Sequence, residues 1–163
     1  MTDPELDQYM MQLAIDASCR ALDSGNMPFG AVLAQGPRVV HTSINQQRTA
    51  LCGRGDITAH AEVVLVREVS ERYGLDTLRG ATVYASGEPC AMCAGAMFWA
   101  GVARVVYGAT TPDIIAALGG PELPTRCVDV LGAATPPVVV EGPLLREAAV
   151  AVLQATASAG TKR

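Results

Sequence analysis

The sequence has few basic side chains, few aromatic side chains and no long apolar run. Its 163 residues carry 12 Lys and Arg against 16 Asp and Glu, and only Lys162 and Arg163 are adjacent basic residues. A large nucleic-acid interface normally needs clustered Lys and Arg, so a net charge of −4 disfavours one. Gly, Pro or a charged residue interrupts every apolar stretch before the roughly 18 residues that a membrane-spanning helix needs. We therefore expect no membrane span.

The cysteines are too few and too irregularly spaced to suggest a disulfide framework. There are five of them, an odd number, and the acidic first 16 residues lack the basic start of a secretory signal. We expect a reducing, cytoplasmic location. The length and a hydrophobic content of 50% fit one domain, predicted over residues 1–155, with a flexible tail over 156–163.

Apolar periodicity and turn residues predict alternating helices and strands. Helices are expected over 3–24, 59–73, 90–100, 112–118 and 144–154, a hairpin around Gly36-Pro37, strands over 81–86 and 103–109, and a strand or extended arm over 136–142. Strands separated by helices of this length indicate an α/β fold whose sheet contains parallel pairs and is covered by helices on both faces.

Two cysteines three positions apart, Cys90 and Cys93, follow Pro89 at the start of a predicted helix. Such a pair needs a third ligand to make a catalytic zinc site with one open position. Of the two histidines, His41 lies in a strand-like run, whereas His60 begins a helix and is followed two residues later by Glu62. The pattern H-x-E followed by P-C-x-x-C is typical of zinc-dependent base deaminases.

These residues also fit other kinds of site. Cys90 and Cys93 fit a thioredoxin-like redox pair, but that pair needs no upstream H-x-E. A structural zinc site with four thiolates would need a second close pair, whereas the other cysteines are isolated and fit buried or loop thiols; they are Cys19, Cys52 and Cys127. Glu62 also fits a solvated glutamate at a helix start.

Beyond these motifs, the sequence resembles the cytidine deaminase-like superfamily, in its nucleobase and tRNA deaminase branch. The similarity is carried by "MPFGAVLA", "DITAHAEVVLVRE", "EPCAMCAGAMFWAGVARVVYGA" and the aspartate of "TTPD", in that order, over about residues 5–118. It is closest to guanine deaminase-like members. The resemblance implies a three-layer α-β-α fold with a central mixed sheet of about five strands.

The resemblance also implies roles for individual residues. Zn²⁺ would be held by His60, Cys90 and Cys93, with zinc-activated hydroxide as nucleophile and Glu62 as proton shuttle. The implied substrate-binding residues are Asn45, Phe29, Ala61 through its main chain, and, by similarity to guanine deaminase-like members, Trp99 and Asp113. In that subgroup the C-terminal segment crosses to a partner subunit, which raises the question of whether Glu122 or Glu141 reaches a site.

Two departures from the family pattern border the implied pocket. Gly87 stands where relatives usually carry a larger residue, and the loop from Gln46 to Arg54 is longer than in compact relatives and contains Cys52. Because of both changes, the substrates of relatives are a weaker guide to the substrate of this chain.

Three functions compete. The first is hydrolytic deamination of a free base (guanine, cytosine, an aminopurine or a triazine), with release of ammonia. The second is deamination of the wobble adenosine of tRNA, which the scarcity of lysine disfavours. The third is a non-catalytic zinc-bound interaction module, which would not need Glu62, Asn45 and Phe29 together. The apolar run 93–108 exceeds what one small sheet face can cover, so a homodimer is expected.

Overall fold

A mixed five-stranded sheet forms the centre of the computed structural model, which describes residues 3–160. The strand order is β2-β1-β3-β4-β5, with β1 antiparallel to β2 and β3, and β4 parallel to β3 and β5. The strands are β1 (Gly30–Gln35), β2 (Arg38–Ile44), β3 (Thr82–Gly87), β4 (Arg104–Ala109) and β5 (Val139–Glu141). The predicted mixed sheet of about five strands is confirmed.

Six α-helices surround the sheet within the described residues. They are α1 (Pro4–Asp23), α2 (Ala61–Tyr73), α3 (Ala91–Trp99), α4 (Thr111–Leu118), α5 (Cys127–Gly132) and α6 (Arg146–Ser158). The first helix begins as its sequence predicts, because the Asp3 carboxylate accepts hydrogen bonds from the backbone N–H groups of Glu5 and Leu6, and Pro4 occupies the first turn.

The helices lie on both faces of the sheet and bury two separate apolar clusters. On one face Leu33, Val83 and Val105 pack with residues of α2, α3 and α5. On the other face Val32, Tyr84 and Val106 pack with α1, α4 and α6. Successive strand residues point to opposite faces, which is why neighbouring positions divide between the clusters. This is the expected three-layer α-β-α arrangement.

The topology gathers several strand ends at one edge of the sheet. The parallel strands β3 and β4 both end there, at Gly87 and Ala109. Since β1 is antiparallel to β3 and β2 is antiparallel to β1, the start of β1 and the end of β2 lie at that same edge. Side chains that flank these ends therefore converge, although they are distant in sequence.

Two segments differ from the sequence prediction. The short helix α5 was not expected, because six residues in a run rich in Gly and Pro give no clear period. The last helix continues to Ser158, four residues beyond its predicted end: Thr156 is buried, and its hydroxyl donates a hydrogen bond to the Val152 carbonyl. The flexibility of the tail stays a prediction. Residues 161–163 of the predicted tail lie outside the described part of the chain.

Between residues 3 and 160, no helix combines the length and the apolar character needed to cross a membrane.

Candidate metal centre and active site

Three side chains from two helix starts converge on one point. The Nδ1 atom of His60 lies 3.7 Å from the Sγ atom of Cys90 and 3.5 Å from that of Cys93, and the two sulfurs are 3.6 Å apart. In a tetrahedral zinc site, with zinc–sulfur bonds of about 2.3 Å and zinc–nitrogen bonds of about 2.0 Å, neighbouring ligand atoms lie roughly 3.5–3.8 Å apart. The three predicted ligands therefore fit Zn²⁺.

The local structure explains why these residues meet. His60 is the N-cap of α2, and Cys90 is the N-cap of α3, with Cys93 in the first turn of the same helix. The C-x-x-C spacing brings the two sulfurs to the same side of α3. The positive end of a helix dipole stabilises thiolates, which are the metal-binding form of cysteine.

The two thiols are electrostatically different. The hydrogen bond between them lowers the pKa of Cys90 to about 4, even though its burial acts in the opposite direction. The same hydrogen bond, together with burial, raises the pKa of Cys93 well above its usual value. The direction of the first shift favours the thiolate, the metal-binding form, at Cys90.

Glu62 lies beside the three ligands, in the first turn of α2, and its residue is only 5% exposed. Burial raises the pKa of its carboxyl group, while the nearby His60 partly opposes that shift. A raised pKa makes a carboxylate a better proton acceptor. This property is what the predicted proton shuttle requires.

A cavity of about 470 Å³ opens in front of this cluster. Its walls come from the strand ends, from the starts of α2 and α3, from α4 and from the segment that follows α4. The lining side chains include His60, Glu62 and Cys90 of the cluster, the predicted pair Asn45 and Phe29, and the apolar residues Met27, Ile57, Ile114, Ile115 and Leu123. A largely apolar pocket with a few convergent polar groups is typical of a small-molecule site.

Asn45 is buried at the cavity wall and is held by Gln47. Its side-chain nitrogen donates to Gln47 Oε1 at 2.8 Å, and its side-chain oxygen accepts from the Gln47 backbone N–H at 3.0 Å. The Gln47 amide in turn donates to the Ile57 carbonyl at 3.1 Å. These contacts fix the orientation of the Asn45 amide at the cavity wall.

Gly87 and Phe29 share one wall of the cavity. A Cβ atom built on Gly87 would lie 2.9 Å from Cε1 of Phe29 and 3.0 Å from Cδ1 of Ile114. Real Cβ contacts are not this short, so a side chain at position 87 would displace the Phe29 ring. The glycine that departs from the family pattern therefore lets the Phe29 ring approach the end of β3 closely.

The eight residues between α4 and α5, residues 119–126, form what we call the covering segment. Four of them line the cavity: Pro121, Glu122, Leu123 and Thr125. Its last residue, Arg126, donates two hydrogen bonds to the carboxylate of Glu88, with Nε–Oε1 and Nη2–Oε2 distances of 2.8 and 2.5 Å. Although burial acts to raise the pKa of Glu88, the hydrogen bonds from Arg126 and Thr111 lower it below its usual value.

Several residues named from the resemblance are not at the cavity of their own chain. Trp99 ends α3 with 86% of its surface exposed. Asp113 is turned away because its carboxylate caps α4 at Thr110 and pairs with Arg146. The expectation that Trp99 and Asp113 shape the pocket is therefore not met within one chain. The main-chain contact of Ala61 stays a prediction; its carbonyl accepts from the Ser43 hydroxyl.

The two glutamates whose role was left open take different positions. Glu122 lines the cavity of its own chain. Glu141 forms an ion pair with Arg104, the first residue of β4, and so lies at the opposite edge of the sheet.

Sequence reasoning missed Gln47, Arg48, Glu88 and Arg126. Gln47 and Arg48 both line the cavity. They lie in the long loop after β2, where the sequence has no periodicity that would predict a cavity wall. Glu88 directly precedes Pro89 and Cys90, and this position next to the metal ligands could have identified it as a site residue. Nothing in the sequence near Arg126 indicates its role, because its partner lies 38 residues away.

Comparisons with known proteins agree with this geometry. The family described as the cytidine and deoxycytidylate deaminase zinc-binding region matches residues 4–109. A probable cytosine deaminase of Schizosaccharomyces pombe is 33% identical over 151 residues, which cover 90% of this chain and 89% of that protein. A tRNA-specific adenosine deaminase of Agrobacterium fabrum is 38% identical over 104 residues, covering 64% of this chain and 66% of that protein.

The fold has a close counterpart among solved structures. A guanine deaminase from Nitrosomonas europaea superposes with a TM-score of 0.76 at 24% identity, covering 93% of this chain and 84% of that one. At this identity the likeness establishes the shared fold, and the choice of substrate has to be argued from the cavity itself.

Proposed function

Because the chain belongs to the family of the cytidine and deoxycytidylate deaminase zinc-binding region, and is thus a zinc-binding deaminase, we propose that it deaminates a free amino-substituted nucleobase or a related heterocycle. The observation that carries this proposal is the covering segment, which walls the cavity with residues of the same chain.

The make-up of the cavity wall supports a small substrate. The covering segment contributes the carboxylate of Glu122 and the apolar side chain of Leu123, and Arg48 is the arginine that lines the cavity within the described residues. A nucleotide within a folded RNA must be extruded and its neighbouring phosphates must be bound, which calls for clustered cations. A planar, uncharged heterocycle needs instead apolar walls and a few hydrogen bonds.

The residues around the metal site have complementary roles in hydrolysis. Zinc, when bound by His60, Cys90 and Cys93, supplies a hydroxide nucleophile at neutral pH. Glu62 accepts the proton that water gives up and delivers it to the ring nitrogen beside the amine-bearing carbon. The hydroxide oxygen adds to the amine-bearing carbon. Glu62 then moves the proton of this new hydroxyl group to the amine, so that the carbon–nitrogen bond breaks, ammonia leaves and a carbonyl remains. Asn45 binds the ring edge, and the Phe29 side chain restricts the ring to one plane.

A screen for released ammonia tests this function. The zinc-loaded protein is assayed with guanine, cytosine, an aminopurine, an aminotriazine, the corresponding nucleosides and a tRNA that carries adenosine at the wobble position. We expect turnover of at least one free base and little or none of the tRNA.

The screen also separates the alternatives. Turnover of the tRNA alone would establish the wobble-adenosine function, which the similarity to the Agrobacterium fabrum relative favours. Absence of ammonia from every compound, with zinc bound, would leave the non-catalytic interaction module.

We propose further that two chains associate through the outer face of α3. Met92 and Trp99 lie seven positions apart and hence on one side of this helix, and they are 37% and 86% exposed. Large apolar side chains exposed together indicate a protein interface. Because Trp99 is the chain's single tryptophan, its fluorescence reports on this face directly. We expect a blue shift of the emission as sedimentation shows dimer formation, whereas a Trp99→Ser variant should sediment as a monomer.

A further inference from the structure

The Glu88–Arg126 ion pair joins two functional parts of the molecule. Arg126 is the last residue of the covering segment, and Glu88 precedes the metal ligand Cys90 by two positions. The Glu88 side chain is 1% exposed, and both of its carboxylate oxygens accept hydrogen bonds from Arg126. A bidentate contact between arginine and carboxylate fixes the relative orientation of the two groups as well as their distance.

Glu88 is itself held firmly. Its Oε2 atom accepts a third hydrogen bond, at 2.8 Å, from the backbone N–H of Thr111 at the start of α4. Its backbone N–H donates to the Ala109 carbonyl at 2.7 Å, at the end of β4. The carboxylate is therefore a rigid anchor that belongs to the same edge of the sheet as the metal ligands.

The covering segment has little packing of its own. Residues 120–125 are all exposed, although four members of the segment line the cavity. At its other end Gly119 and Gly120 have positive φ angles of 65° and 92°, a region open to glycine without steric cost. Between the buried Leu118 of α4 and Arg126, the position of the segment depends on its two ends.

We propose that Arg126 is a positioning residue for substrate binding: it clamps the covering segment to Glu88 and so holds Glu122 and Leu123 over the cavity. This inference rests on the proposed function for its kinetic consequence, but the clamp itself is independent of it. Without the arginine side chain, the segment is tied only through its neighbours in sequence, the buried Leu118 of α4 and the buried Cys127 of α5, and it can turn about the two glycines. Substrate binding then loses one wall, while the metal ligands and Glu62 stay in place.

The first test replaces the clamp. In Arg126→Met we expect the KM for the base found in the ammonia screen to rise about tenfold or more, because a wall displaced by about 1 Å is enough for large losses. We expect the larger part of the change in KM rather than kcat, and an unchanged zinc content. Arg126→Lys keeps the charge but not the bidentate contact, so it should recover only part of the affinity.

Two further variants separate the loss of the clamp from a general loss of stability. The combination of Glu88→Gln with Arg126→Met removes the uncompensated buried charge, and the glutamine oxygen can still accept from Thr111. It should show the same rise in KM even if the single variant folds poorly. Arg79→Met removes an exposed ion pair with Asp76 and serves as the matched control, with unchanged KM.

A second measurement needs no substrate. The two hydrogen-bonded amides at the ends of the segment report on it: the Gly119 N–H donates to the Ile115 carbonyl and the Arg126 N–H to the Asp129 carboxylate. Their hydrogen exchange should become faster in Arg126→Met and in the double variant, while exchange in β3 and β4 stays slow. Unchanged exchange and unchanged KM would overturn the clamp. A wild-type protein that releases no ammonia would refute the proposed function, and the exchange experiment would still decide whether Arg126 holds the segment.

Discussion

At the scale of single residues, two buried glutamates near the metal centre have opposite properties. Burial beside the metal ligands raises the pKa of Glu62, whereas the pKa of Glu88 is lowered because hydrogen bonds from Arg126 and Thr111 outweigh its burial. Carboxyl groups whose environments separate their pKa values take different roles. The carboxyl with the raised pKa is the better proton acceptor, and the one bound by arginine is held as an anion with a structural task.

This difference gives the first residue-scale prediction. Glu62→Gln should keep the zinc content and the fold but lower kcat by about 10²–10⁴-fold, because proton transfer by a positioned group contributes about that factor. The measurements are metal analysis and ammonia release. Glu71→Gln, an exposed position on the same helix, is the matched control. Near-normal turnover in Glu62→Gln would show that another group moves the proton.

The clustering of His60, Cys90 and Cys93 could be predicted from the sequence, because residue types and spacing are tied to the chemistry. The proton-shuttle role of Glu62 stays a prediction. The sequence predicts the surrounding shell poorly. Gln47 and Arg126 act through contacts to Asn45 and Glu88 that depend on how loops pack, and loop packing leaves no periodic pattern. Trp99 and Asp113 were proposed by resemblance alone, and their side chains lie away from the cavity of their own chain.

At the scale of elements, helix starts are the best predicted features, and they carry the site. Ser, Thr, Asp and Pro signals mark them locally, as Asp3 and Pro4 do for α1. Element ends were less predictable: α6 reaches Ser158 because alanine favours helix and Thr156 packs inside. The covering segment was predicted only as a turn-rich connector, since its path is set by the distant Glu88.

The cap of α4 provides an element-scale prediction. Asp113 accepts hydrogen bonds from Thr110 and pairs with Arg146 of α6. The hydrogen bond from Arg146, and to a smaller extent those from Thr110, hold the pKa of Asp113 well below its usual value. We expect Asp113→Ala to lower the free energy of unfolding by about 1 kcal/mol at pH 7, mostly through the lost cap, since Arg146 is well exposed. Urea denaturation measures this.

The pH dependence of the same variant has a definite sign. A carboxyl group whose pKa is lowered by folding stabilises the protein fully above its unfolded pKa of about 3.9, and that stabilisation is lost as the pH falls further. The difference between wild type and Asp113→Ala should be constant from about pH 5 to 7 and shrink below about pH 4. A difference that grew in acid would contradict the assignment. Asp76→Ala, at an exposed ion pair, should change neither the free energy of unfolding at pH 7 nor its pH dependence.

At the scale of the whole molecule, one edge of the sheet carries the site and the helical layers support it. The ends of β2 and β3 and the start of β1 supply Asn45, Gly87 and Phe29, while α2 and α3 supply the metal ligands. The overall fold was predictable because alternating helices and strands leave few topologies. The wall formed by the covering segment was not predictable, because it depends on how a loop packs and not on the arrangement of helices and strands.

Metal removal provides the whole-molecule prediction. Zinc bound by His60, Cys90 and Cys93 would join α2 to α3. A ligand whose free concentration is about 1,000 times its Kd stabilises the native state by about 4 kcal/mol. Treatment with a chelator should therefore lower Tm by roughly 10 °C, measured by scanning calorimetry. The Tm of Cys90→Ala should not respond to the chelator, whereas Cys19→Ala, which changes an exposed thiol, should respond like the wild type.

The covering segment is continuous in sequence, and it touches the cavity without supplying any of the three metal ligands. One wall of the cavity and the metal cluster are therefore encoded in separate stretches of the gene. We expect a different octapeptide grafted between α4 and α5, with Arg126 retained, to change that wall and to leave the metal cluster in place. A randomised library confined to these codons is the economical route to deaminases with new preferences.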